Sequence, residues 1–263
     1  MQSVFKRQEK KYLITIEQGA ILQKLIAQNM FIDLFGDYIV QNLYYDTNNW
    51  DIIRESVEKP LYKEKLRLRL YGQYNSESRG FLELKKKYNG IVYKRRFAFP
   101  LSELKKRNVQ EIVSADNSQI SREIDFYLKR KQVSEKIYIA YKRIAYTGGK
   151  LHQHAAAAAR SLSGSNTENN ELRITFDKDI VFRLNSLDSF KGIFNPNNGR
   201  QILRQNQMLM EIKTTGVMPL WLARTLSENN IFSIPFSKVG ICFTEHILKR
   251  QGFKDFIEVK NAA

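Results

Sequence analysis

The sequence predicts an α+β fold built on a mostly antiparallel sheet, and three observations carry that reading. About eight segments have strand character, near 4–13, 38–46, 63–72, 79–88, 91–99, 136–147, 171–184 and 203–214. Helical periodicity lies between them without a βαβ rhythm, and glycines are few. One hairpin can be placed residue by residue.

The first strand holds Arg7, Glu9 and Lys11 on one face, and its other side is only partly apolar. Helical spacing follows over 16–30 (IEQGAILQKLIAQNM), then a strand in YIVQNLYYD and a helix over 48–57. In EKLRLRLYG (64–72), Leu66, Leu68 and Leu70 alternate with Lys65, Arg67 and Arg69. Period-two alternation puts the leucines on one side of a strand and a row of positive charge on the other. FLELKKKYNGIVYKRRFAF then carries Asn89-Gly90 between two strand patterns, the preferred type I′ hairpin turn. A two-residue loop fixes the register: Lys85 faces Lys94, Glu83 faces Arg96, and Phe81 faces Ala98. Cross-strand partners share a face. The opposite face is apolar (Leu82, Leu84, Tyr88, Ile91, Tyr93, Phe97, Phe99) but is interrupted by Lys86 and Arg95.

Helical patterns at 101–113 and 118–131 precede YIAYKRIAY, where Arg143 shares a side with Ile139 and Tyr141. LRITFD places Arg173, Thr175 and Asp177 opposite Leu172, Ile174 and Phe176. MLMEIKT places Glu211 and Lys213 opposite Met208, Met210 and Ile212. Helices over 218–229 and 240–251 complete the chain. The stretch 147–170, with its alanine run, is low in complexity and predicts a long flexible loop within a single domain, 1–263. His152 and His154 lie there without acidic or cysteine partners nearby, which argues against a metal pair. His246, on a helix, reads as structural.

Lysine and arginine outnumber aspartate and glutamate 43 to 27, a formal net charge of +16. A surplus that large points to a polyanionic partner: nucleic acid, an anionic membrane surface or a phosphate-rich molecule. Cys242 is the single cysteine, so no internal disulfide is possible, and its apolar context reads as an ordinary buried thiol. No signal peptide is evident and no apolar run approaches the roughly 20 residues of a membrane span. A soluble cytoplasmic protein is expected. The basic helical runs ELKKRN, YLKRKQ and ILKRQ could serve a nucleic-acid module. However, solvated helix faces explain them, and no zinc spacing, RNA-recognition motif or helix-turn-helix accompanies them. No P-loop is present.

The charged strand faces, with the segment after 214, collect Lys11, Arg67, Arg69, Lys85, Lys94, Arg96, Arg143, Arg173, Lys213 and Lys238. Three carboxylates recur among them: Glu9, Glu83 and Glu211. Periodicity alone leaves two arrangements open. One is an open sheet with a basic face; the other closes the charged faces inward as a polar tunnel, with helices over the apolar faces. A tunnel of like charges costs stability through repulsion and desolvation, which an anion of many charges would offset.

KRQEKKYLI, KLRLRLYG, FLELKKK with YKRRFAF, YKRIAY, LRITFD, LMEIKT and FSKV, in this order over about 5–250, resemble the VTC-type polyphosphate polymerase domain, a branch of the triphosphate tunnel metalloenzymes. The resemblance implies an antiparallel eight-stranded β-barrel tunnel with a polar, basic interior, flanked by helices. It implies catalytic roles for Arg67, Arg69, Lys85, Arg143 and Arg173, and phosphate binding by Lys11, Lys94, Arg96, Lys213 and Lys238. Glu211 matches the metal-binding glutamate, for Mn²⁺ or Mg²⁺. The implied partners are ATP, inorganic polyphosphate and pyrophosphate. The implied reaction transfers the terminal phosphoryl group of ATP to a polyphosphate chain. A sensor that binds polyphosphate or triphosphate without turnover, or a tripolyphosphatase, would need most of the same cations. Hydrolytic relatives open with Glu-x-Glu-x-Lys, whereas this frame reads Arg7-Gln8-Glu9-Lys10-Lys11. One carboxylate fewer weakens support for two metals and an activated water, and so for hydrolysis.

Overall fold

The computed structural model describes residues 8–75, 77–89, 91–148, 172–184, 195 and 197–248. In chain order these form β1 (Gln8–Thr15), α1 (Ile16–Ile26), β2 (Phe31–Asp46), α2 (Asp51–Val57), β3 (Tyr62–Tyr71), β4 (Arg79–Tyr88) and β5 (Ile91–Pro100). There follow α3 (Val109–Ser114), α4 (Gln119–Lys131), β6 (Ser134–Thr147), β7 (Leu172–Leu184), β8 (Arg200–Gln201), β9 (Gln207–Thr214), α5 (Leu220–Glu228) and α6 (Lys238–Ile241). The α+β class with a large antiparallel sheet and several helices is as the sequence predicts. Arg7, the 149–171 stretch with His152 and His154, and Gly90 lie outside the described residues.

The chain divides into two compact units. The first comprises Met1–Ile39, Tyr141–Ile180 and Leu203–Phe236. Its strands run in the order β1-β9-β7-β6-β2, with β1 and β7 both antiparallel to β9. Tyr12, Ile14, Ile174, Met208, Met210 and Ile212 build its core, together with Leu22 and Ile26 of α1 and Leu222 and Leu226 of α5. α1 starts where Thr15 and Gln18 form a reciprocal capping box, with bonds of 3.1 and 3.0 Å. At Gly19 an added Cβ would lie 2.3 Å from Met208 Sδ, so a larger residue there would require the Met208 side chain to shift.

The second unit comprises Val40–Ala140, Val181–Ile202 and Ser237–Ala263. Its strands run β6-β2-β3-β4-β5, and the β2–β3, β3–β4 and β4–β5 pairs are antiparallel. Leu66, Leu68 and Leu70 are at most 1% exposed and pack with Leu82, Leu84 and residues of α3 and α4. The hairpin register is the one expected, with Lys85 opposite Lys94, Glu83 opposite Arg96 and Phe81 opposite Ala98. Asn89 takes a left-handed φ of 44° in the two-residue turn. Lys86 and Arg95, the interruptions on the apolar face, both meet Glu123 of α4, at 2.5 and 2.9 Å. A helix carboxylate therefore neutralises what strand periodicity leaves as an anomaly.

Several boundaries shift for local reasons. The helix expected over 101–113 is a 3-10 turn, Leu101–Lys105, followed by α3, because Asn108 caps the N–H of Glu111 and starts a new helix. β2 begins at Phe31 rather than 38. The strand expected from 203 begins at Gln207, after a turn in which the Gln207 N–H donates to Arg204 O. The expected 240–251 helix is α6, capped by Ser237, and then a π-helical turn, Cys242–Ile247. Cys242 is fully buried and burial pushes its thiol above the usual range, which suits a packing role. His246 packs 4.7 Å from the Phe182 ring.

Asp46 ties β2 to α2. Its carboxylate accepts from the N–H groups of Thr47, Ile52 and Ile53 at 2.8–2.9 Å, doing the capping that Trp50, at φ 64° and without a side-chain cap bond, does not. Asp46→Ala leaves buried donors unmet and is expected to cost about 2 kcal/mol, whereas Asp46→Asn, which keeps one acceptor, costs less. Urea denaturation of the three proteins checks this, and an unchanged midpoint for the alanine variant would refute the capping role.

Candidate functional site

Each unit sets its core on one face of its strands, and the opposite face carries the charge. In the second unit that face is a register of rows. Tyr44, Arg67, Glu83 and Arg96 form one; Asn42, Arg69, Phe81 and Ala98 the next; Lys65, Lys85 and Lys94 a third. Neighbouring strands are about 4.8 Å apart, so long side chains from three strands reach one point. That point is Glu83, only 1% exposed.

Glu83 gathers four cations. Arg67 donates to Oε2 through Nε and Nη2 at 2.9 and 2.8 Å. Arg96 donates to Oε1 at 2.9 and 2.6 Å, and Lys94 Nζ lies 2.7 Å from the same oxygen. Arg69 Nε is 3.8 Å from Oε2 and donates to Asn42 Oδ1 at 2.9 Å. Burial raises the Glu83 carboxyl, but Arg67, Arg69, Lys94 and Arg96 outweigh it and hold the group far below the usual carboxylate range. Burial also pulls Lys94 down to about 8, with Glu83 opposing and Arg96 adding to the fall.

Two tyrosines that the sequence reading passed over complete the cluster. Tyr44 accepts from Arg67 Nη1 at 3.1 Å, and Tyr71 accepts from Arg69 Nη1 and Arg96 Nη2, each at 3.2 Å. Burial raises the Tyr44 phenol, but Arg67 and Arg69, with a smaller contribution from Lys238, bring it below its usual value. For Tyr71, burial is again outweighed, by Arg69 and Arg96, and the phenol falls to about 7. Arg96 also lies over the Phe81 ring, 5.0 Å from its centroid. The signal was in the sequence: Tyr71 stands two residues after Arg69, on the same face. Lys85 is exposed, in register between Lys65 and Lys94.

The charged face of the first unit is differently balanced. Lys11 Nζ lies 3.3 Å from Glu9 and 3.9 Å from Glu211, and donates to Phe236 O at 2.9 Å. Lys213 lies 2.5 Å from Glu211. Arg143 makes a two-pronged bond to Asp177 at 2.6 and 2.8 Å, both side chains buried. Burial opposes the Arg143 charge, yet Asp177 more than restores it. Arg173 meets Asp33 at 3.1 Å. Here burial lifts the Asp33 carboxyl above its usual value, and Arg173 only partly offsets it. Asp33 was not anticipated, because the sequence pattern started β2 after it. Four cations thus face four carboxylates in the first unit, while in the second four cations share Glu83.

Among the described residues, no group of three or more histidine, cysteine, aspartate or glutamate side chains is arranged to hold a metal. Glu211 nonetheless offers a hard carboxylate. In register with it on β7, Thr175 carries a buried Oγ1 with no hydrogen-bond partner. Such a donor set fits a divalent ion that takes most of its oxygens from phosphate and water, as Mg²⁺ commonly does.

The model of the VTC domain family matches residues 6–154 and 163–244. The chain has no significant match among curated protein sequences. Among solved structures, the PH1819 protein from Pyrococcus horikoshii OT3 is 13% identical, with a TM-score of 0.45 over 91% of this chain and 99% of that one. A Vibrio parahaemolyticus protein provisionally named an adenylate cyclase is 11% identical, with a TM-score of 0.43 over 91% and 98%. The PH1012 protein from Pyrococcus horikoshii OT3 is 15% identical, with a TM-score of 0.36 over 86% and 94%. At these scores the resemblances decide nothing about chemistry.

Glu83→Gln keeps the shape but leaves the surrounding cations without their shared counter-charge. It is expected to cost about 3 kcal/mol at neutral pH. Because the folded carboxyl is depressed, its contribution is fully present above the unfolded value of 4.5 and fades as pH falls below it. The gap in melting temperature between the two proteins should therefore narrow in acid. A gap that is constant across that range would show that Glu83 acts only through packing.

Proposed function

Because the chain belongs to the VTC domain family, we propose that it is a polyphosphate polymerase, moving the terminal phosphoryl group of ATP onto the end of an inorganic polyphosphate chain. The observation that supports this most directly is the group of four cations around the single carboxylate of Glu83. Confined positive surplus is costly unless a polyanion meets it. The reading treats 1–263 as one functional domain.

Phosphoryl transfer asks little covalent chemistry of the protein; it asks for positioning and for cations where charge spreads in the transition state. A terminal oxygen of the polyphosphate chain attacks the γ-phosphorus of ATP, the bond to the β-phosphate oxygen breaks, and ADP departs. The acceptor is already an oxyanion, so no general base is needed. In this reading Arg67, Arg69 and Lys85 meet the transferring group, and Lys94, Arg96 and Lys238 hold the flanking phosphates. Arg143 and Arg173, each paired with an aspartate, are assigned to orientation and charge balance around Lys11, Lys213 and Glu211. Glu211 would hold Mn²⁺ or Mg²⁺, and that ion would lower the phosphates' charge for in-line attack.

Incubation with ATP and Mn²⁺, followed by gel detection of polyphosphate, tests the reading. Release of phosphate from tripolyphosphate without chain growth would overturn it in favour of a hydrolase. Arg67→Ala should lower polymer formation by about 100-fold or more. Arg107→Ala, which removes only the helix-side pair with Glu103, should leave it unchanged. Equal losses in both would move the site to the outer surface.

Glu211→Gln retains shape and hydrogen bonding but removes the charge. Turnover should fall by orders of magnitude with an altered Mn²⁺ dependence, while metal-free polyphosphate binding holds or tightens. Superimposable Mn²⁺ titrations of the two proteins would remove Glu211 from the metal site.

A further inference from the structure

The Tyr71 hydroxyl sits where a phosphate oxygen would find its best donors. It takes one N–H from Arg69 and one from Arg96, on strands β3 and β5. Arg69 turns a different nitrogen, Nε, to Asn42 at 2.9 Å, whereas Arg96 donates to Glu83 through Nε at 2.9 Å and, at 2.6 Å, through the same Nη2 that reaches Tyr71. Tyr71 thus takes an Arg69 nitrogen that Asn42 does not, and shares Arg96 Nη2 with Glu83. Its ring is fixed edge-on to Phe81, with centroids 5.6 Å apart, and Arg69 lies over its face at 5.5 Å. The residue as a whole is 37% exposed.

We propose that Tyr71 is a positioning residue that holds Arg69 and Arg96 ready and is exchanged for phosphate oxygen when a polyphosphate chain binds, the phenol taking up a proton from solvent as it yields the two guanidiniums. The inference rests on the reading of this cluster as a phosphate site and adds a proton to the binding equilibrium. Among the described residues, the charges that act most on the hydroxyl include Arg69 on β3, Glu83 on β4, and Lys94 and Arg96 on β5. Arg96 stays charged and Glu83 stays ionised near neutrality. The groups that titrate there are Tyr71, near 7, and Lys94, near 8. Above its range the phenolate competes with phosphate for the same two cations, so polyphosphate binding weakens as pH rises.

Long-chain polyphosphate, whose internal phosphates do not titrate near neutrality, is the probe. Bound to the full chain at a pH between these two values, it should bleach the tyrosinate absorbance band of the wild type. Tyr44→Phe should keep that bleach and Tyr71→Phe should lose it. Wild-type affinity should fall by up to about tenfold per pH unit once pH exceeds the Tyr71 range. In Tyr71→Phe the fall should begin only in the range of Lys94. Binding that leaves the wild-type tyrosinate band unchanged would overturn the proposal and spare the phosphate site. Absence of polyphosphate binding at any pH would overturn both.

Discussion

The shared carboxylate of Glu83 is the constraint on which the second unit's charged face depends. β3, β4 and β5 set Arg67, Glu83 and Arg96 in one row and Lys65, Lys85 and Lys94 in the next. Like charges in such rows repel: at 4 Å and an effective dielectric of 20, two unit charges interact by about 4 kcal/mol. A buried carboxylate bonded to three of these cations at 2.6–2.9 Å and close to a fourth turns repulsion into a fixed geometry. Register protects it. A slip of one residue would put Leu82 or Leu84 where Glu83 stands and would drive charge into the leucine core, so the Asn89 turn and the core oppose the same error.

Much of this was legible because strand periodicity is a strong physical signal. The alternation of Leu66, Leu68 and Leu70 with Lys65, Arg67 and Arg69 requires one dry face, and a two-residue turn allows one register. What the pattern could not supply were partners distant in sequence. Asp177 meets Arg143 across 34 residues and Asp33 meets Arg173 across 140. Neither spacing leaves a trace in a single chain. Lys86 and Arg95 looked like errors in an apolar face for the same reason, since Glu123 comes from a helix. Tyr44 and Tyr71 were overlooked because an aromatic residue in a strand reads as packing, and only geometry reveals a hydroxyl turned to guanidinium. The 3-10 break before Asn108 follows from local capping, which outweighs the helical period on either side.

The two charged faces differ in kind. In the first unit Lys11, Lys213, Arg143 and Arg173 are met by Glu9, Glu211, Asp177 and Asp33. Among these described residues the charges balance, and the Glu211 carboxylate is met by Lys11 and Lys213. In the second unit the cations outnumber their carboxylate. Removing one partner of the buried Arg143–Asp177 pair on the first face leaves an unpaired buried charge, whereas adding an anion to the second relieves repulsion already present. Identical residue types therefore serve stability in one place and, in the function proposed above, binding in the other.

The surplus also bears on which anion suits the second unit. Separate monovalent ions could balance the charge, but each would lose its translational freedom on binding, a cost that recurs with every ion. Phosphates joined in one chain lose that freedom once, and each further contact is made at the high effective concentration set by the linkage. Guanidinium groups add directional, two-pronged bonds that a spherical anion cannot use. Arg67, Arg69 and Arg96 are held by Glu83, Asn42, Tyr44 and Tyr71 before any ligand arrives, so little side-chain freedom remains to be lost. Preorganised donors, a confined surplus of charge and a linked oxyanion are a matched set, and they favour a phosphate chain over the same charge divided among free ions.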